Sequence, residues 1–87
     1  MAQVRAFAVP GVKMCIPSGD HGPPHIHARR PGEWAAKVYI LADRDQMIEL
    51  LRPRDATIKA TDRTAIIAGV EAHRPELLQE WQDCQAG

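Results

Sequence analysis

Three of the chain's four histidines, His21, His25 and His27, fall within seven residues of one another, in the segment Asp20-His21-Gly22-Pro23-Pro24-His25-Ile26-His27. Histidine changes charge near neutral pH and is the commonest metal ligand, so its clustering beside a carboxylate and a stiff turn points to chemistry. If the chain leaves Pro24 as a strand, His25 and His27 project from one face, with Cα atoms about 6.5 Å apart. Two imidazoles so placed can converge on one ion or one phosphate. A polyproline-like Gly22-Pro23-Pro24 run would carry His21 roughly 12 Å from His25. A turn at Gly22, which tolerates positive φ, is needed to bring it back. The same residues also suit a purely structural connector, in which Asp20 caps the turn and the prolines fix its direction.

Two chemistries are open to this cluster. His21, His25 and His27, with Asp20 or the distant His73 as a further ligand, could hold a divalent transition metal such as zinc. Nitrogen ligands about 2.0 to 2.1 Å from the ion would leave a position for water, and that water could attack a phosphodiester or an ester. Nickel and iron suit the same donors. Without a metal, His25 and His27 could serve as general base and general acid, with Arg29 and Arg30 holding a phosphate. Neutral net charge and a shortage of aromatics weigh against strong RNA affinity. His73 near a helix end is better suited to capping, because the helix dipole favours its protonated form. Cys15 and Cys84 have no metal-ligand spacing, and no Ser or Cys has an adjacent base.

Size sets the scale of any site. With 87 residues, 45% hydrophobic and 25% charged, the sequence reads as a single small domain over residues 1–87, burying about 60 to 65% of its unfolded surface. Shallow grooves, or a site completed by a second subunit, suit such a chain better than a deep pocket. A small core also makes a homo-oligomer or a partner protein attractive. Formal net charge is zero, which argues against a salt-driven nucleic-acid binder. The charge is unevenly spread: residues 1–63 carry ten Lys or Arg against seven acids, and residues 64–87 carry one against four. Two cysteines do not make a disulfide framework, so a reduced, cytoplasmic protein is expected. Arg5 and Pro10 interrupt the N-terminal apolar residues, and no run approaches a membrane span.

The elements that must position the histidines follow from periodicity. Short strands are expected at Val12 to Ile16 and His25 to Arg29, with a turn at Arg30-Pro31-Gly32. A strand from about Glu33 to Leu41 would put Trp34, Ala36, Val38 and Ile40 on one face, and Met47 to Leu51 would follow it. Beyond Pro53 the period changes to helical. Thr61 or Asp62 is placed to cap a helix carrying Ile66, Ile67 and Val70, and Pro75 to open a second helix bearing Leu77, Leu78, Trp81 and Cys84. The expected fold is α+β: an antiparallel meander of three to four strands (about residues 12–52) packed against two C-terminal helices (about residues 62–85).

The string Asp20-His21-Gly22-Pro23-Pro24-His25-Ile26-His27 resembles the signature of a small bacterial family, domain of unknown function 4160. The resemblance extends over roughly residues 12–83. It takes in Met14 to Ile16, the Glu33 to Ile40 strand, Leu50-Leu51-Arg52-Pro53, and His73 with Leu77, Leu78 and Trp81. Ile26 stands where the family often has Phe, and Leu-Leu-Arg-Pro replaces a direct Leu-Pro close. The family has no established activity. Its members are often encoded beside another small protein, in an arrangement that resembles toxin and antitoxin pairs. The resemblance therefore implies a regulatory or interaction protein with a second small protein as partner. The residues themselves keep open the metal-dependent or His-mediated hydrolase or nuclease.

Overall fold

The computed structural model describes residues 2–19, 22–53 and 55–86. Five strands, β1 (Ala2–Gln3), β2 (Lys13–Ile16), β3 (His25–Arg30), β4 (Trp34–Tyr39) and β5 (Ile48–Arg52), precede two helices, α1 (Ala60–Ala72) and α2 (Arg74–Ala86). The strands form one antiparallel sheet in the order β1-β2-β3-β4-β5. The fold is therefore α+β, as the periodicity implies, with one strand more than expected. β1 has two exposed residues and no periodic signal. Pairing of Ala2 with Ile16 and of Gln3 with Cys15 defines it, and Val4 N donates to Met14 O at 3.0 Å just beyond it.

Two Pro-Gly pairs turn the chain. At Arg30-Pro31-Gly32-Glu33 the Glu33 amide returns to Arg30 O at 2.9 Å, and Gly32 has φ +79°. Proline second and a positive-φ residue third are what a type II turn requires. The turn absorbs Glu33, so β4 starts one residue later than the alternation suggests. Val9-Pro10-Gly11-Val12 repeats the device, with Gly11 at φ +77° and Val12 N donating to Val9 O. The Arg52-Pro53 peptide is cis.

Alternation along β4 is as expected: Trp34, Ala36 and Val38 are buried, Ile40 just beyond the strand is buried with them, and Ala35, Lys37 and Tyr39 are half-buried. The buried side chains join Met14 and Ile16 of β2, Ile26 and Ala28 of β3, and Met47. Against them lie Ile66 and Val70 of α1 and Leu77 and Trp81 of α2. Leu78 and Cys84 pack at the border of this core.

Helix α1 corrects the expected cap. It begins at Ala60 behind Lys59, and no side chain caps it. Asp62 is instead buried and accepts Arg30 Nε at 2.9 Å and Arg30 Nη2 at 2.8 Å. The carboxylate pairs with a strand arginine instead, whose planar fork offers it two parallel charge-assisted hydrogen bonds. Pro75 does lie in the first turn of α2, and Glu76 with it.

Further polar ties hold helices to sheet. Arg74 donates to the carbonyls of Ile40 and Ala42, both at 3.0 Å, and Arg44 pairs with Glu71. Gln85 donates to Pro17 O at 2.8 Å. Among the described residues no helix is long and apolar enough to cross a membrane.

Candidate functional site at the start of strand β3

Pro23 and Pro24 deliver the chain into β3, and Gly22 ahead of them has φ +112°, the conformation a turn there demands. Ile40 N donates to Pro24 O at 3.0 Å, fixing the end of the proline segment to the far end of β4. His25 is then the first residue of the strand and is only 4% exposed. Its Nδ1 lies 3.1 Å from Pro23 O. A carbonyl only accepts, so in this contact the ring donates through Nδ1.

Three rings surround His25. The His27 centroid is 5.2 Å away with planes inclined at 34°, Trp81 of α2 lies at 5.2 Å, and Tyr39 at 6.0 Å. Register explains two of these contacts. His27 follows at i+2 on the same strand, and Tyr39 is the partner of His25 across the β3–β4 ladder. The expected pair of neighbouring imidazoles is therefore present. Sequence spacing gave no sign that α2 would place an indole against His25.

The neighbouring strands add polar groups. Cys15 of β2 and Lys37 of β4 are the register partners of His27. Tyr39 donates its hydroxyl to Glu49 Oε1 at 3.0 Å. Burial of the phenol raises its pKa above the ordinary value, and the hydrogen bond to Glu49 and the charge of that carboxylate raise it further.

The other candidate residues fall elsewhere. Asp20 and His21 lie outside the described residues. His73 is at the junction of the two helices, where Nδ1 donates to Glu76 Oε2 at 2.7 Å and the ring stacks on Phe7. Its backbone amide closes α1 on Gly69 O and Val70 O. Arg29 and Arg30 point to opposite sides of β3 by strand alternation. Arg29 is exposed on the side of His27. Arg30 is committed to Asp62 and also donates to Pro10 O; its hydrogen bonds with Asp62 raise the Arg30 pKa and hold the Asp62 carboxyl below the usual range. Among the described residues no three His, Cys, Asp or Glu side chains converge as a metal set. His25 and His27 thus supply two donors, and a metal would need its further ligands from outside them.

Such an arrangement defines a small α+β domain whose five-stranded meander, backed on one face by two helices, presents a His-x-His pair at the start of its central strand. The family model described as Domain of unknown function (DUF4160) matches residues 11–82, and the chain belongs to that family. No curated protein and no solved structure matches the chain.

Proposed function

We propose that this protein is a cytoplasmic regulatory or interaction module that acts by binding a second small protein, in a two-component system of the toxin and antitoxin kind. The observation that carries the reading is the uneven cover of the sheet. Both helices pack on the face that bears Ile26, Ala28 and Val38. On the opposite side α2 reaches only as far as His25, through Trp81, among the contacts described above; Lys13, Arg29 and Arg52 are exposed there, and β5 lies at the edge of the sheet with Leu51 45% exposed. An edge strand with unpaired backbone groups and a half-covered sheet are the features by which extended segments are captured. The proline-stiffened entry into β3 reduces the ordering cost of such binding. Co-expression with the protein encoded beside it, followed by size-exclusion chromatography, tests the proposal. A stable complex is expected, and two separately eluting proteins would overturn it.

A second reading rests on His25. A ring held through Nδ1–H by a backbone carbonyl is oriented as metal-bound histidines are, and it adjoins a second imidazole. Metal-dependent or His-mediated phosphodiester cleavage is the chemistry this pair would support. Elemental analysis of the untagged protein beside the His25→Ala, His27→Ala double variant decides the metal form. Near-stoichiometric zinc, nickel or iron that disappears in the variant would favour it.

A further inference from the structure

We infer that the cationic end of the sheet face opposite Ile26 and Ala28 is the seat for an acidic segment of the partner that carries isolated apolar side chains; this rests on the partner-binding reading above. Lys13 pairs in register with Arg29, Arg29 with Ala35, and Ala35 with Arg52. Three cations thus lie in one row across four strands. All three are exposed. Like charges directly opposite one another destabilise a sheet, so this row costs the fold something in isolation.

The helix side treats its cations differently. Arg30 is neutralised by Asp62 and Arg44 by Glu71, whereas among the described residues no carboxylate comes within ion-pair distance of Lys13, Arg29 or Arg52. Lys37 adds a fourth cation to the same face. Glu49 is the one carboxylate among the described strand positions there, and it accepts the Tyr39 hydroxyl.

Between the cations the sheet surface dips. An open depression of about 330 Å³ is lined by Lys13, Arg29 and Arg52 together with Cys15, His27 and Leu51. The exposed Leu51 supplies its largest apolar side chain. Base-stacking proteins present aromatic side chains for nucleobases. Here the lining between the cations is mainly aliphatic, with His27 as its one ring. Cations and aliphatic side chains lining one depression match carboxylates flanking an apolar side chain better than they match a nucleic acid strand.

The test uses the Lys13→Glu, Arg29→Glu, Arg52→Glu triple variant, whose changes are all on the surface, with circular dichroism confirming the fold. Against the adjacent-gene protein, a loss of affinity of about tenfold or more, together with weakening of the wild-type complex by salt, is expected. Equal binding by wild type and variant would overturn the charged seat while leaving the partner reading intact. Should wild type form no complex, the partner reading fails by itself, and a second titration judges the face. There, ¹⁵N-labelled protein is mixed separately with a soluble glutamate-rich peptide bearing isolated leucines and with polyuridylate. Amide shifts centred on Lys13, Arg29, Leu51 and Arg52 with the peptide support the seat. Preference for polyuridylate at those residues, or no shift with either probe, overturns it.

Discussion

The His25 imidazole rests against the Trp81 indole, with ring centroids 5.2 Å apart and planes inclined at 48°. Strand β3 and helix α2, far apart in the chain, therefore meet at the most buried histidine of the site. Replacing Trp81 by Leu keeps an apolar side chain there but removes the ring. The carbon-bound ring protons of His25 should then shift strongly in the NMR spectrum, while those of His73, which stacks on Phe7, stay near their wild-type positions. Trp81→Ala should cost about 3 to 5 kcal/mol, the usual range for emptying a buried tryptophan site, measured by urea denaturation.

The Arg30–Asp62 pair predicts an acid dependence. The hydrogen bonds from Arg30 lower the Asp62 pKa in the folded protein, with burial opposing them. The stabilisation it gives is fully present above the unfolded-state aspartate pKa of about 3.9 and is lost as pH falls through the lower folded value. Asp62→Asn should destabilise the protein at neutral pH and flatten the fall in stability below about pH 4. Denaturation midpoints measured across that range check both; parallel curves for the two proteins would contradict the assignment.

Tyr39 is the chain's one tyrosine, so tyrosinate absorbance reports it alone. Its pKa is raised by burial first and by Glu49 second. Ionisation should therefore begin above the ordinary value of about 10. Because the folded value is raised, the associated stability is present below the unfolded pKa and lost as pH climbs through the folded one. Glu49→Gln should move the transition down without restoring the ordinary value, since the contribution of burial remains.

Gly69, inside α1, faces the ring of Phe7, and a Cβ there would collide with it. Alanine ordinarily gains up to about 1 kcal/mol over glycine in a helix, but displacing a packed ring costs about 1 to 3 kcal/mol. Gly69→Ala should therefore fail to stabilise and should destabilise by up to about 2 kcal/mol net. Phe7→Leu in the same chain should recover part of that loss, as a double-mutant cycle would record.

Sequence periodicity carried much of the fold because the meander is local. Trp34, Ala36 and Val38 alternate, and Ile66 and Val70 recur with helical spacing. The neighbouring His25 and His27 were legible for the same reason. What could not be read depends on contacts between distant segments. Asp62 has the residue type and position of a helix cap, and only the approach of Arg30, 32 residues away, diverts it. β1 has no pattern of its own, and Trp81 could be placed in a core stripe but not against a particular ring. Arg29 and Arg30 are adjacent and chemically alike, yet strand alternation sends one to the open face and the other to α1.

Glu80 of α2 receives the backbone amides of Arg5 and Ala6, at 2.8 and 2.9 Å. A residue of α2 thereby fastens a segment that precedes it by 74 to 75 positions. During synthesis Arg5 and Ala6 leave the ribosome long before Glu80 does, so the meander can pair while this segment still lacks these acceptors. Completion of the nascent domain waits on α2, and a chain stalled before Glu80 would leave the Arg5–Ala6 segment unanchored.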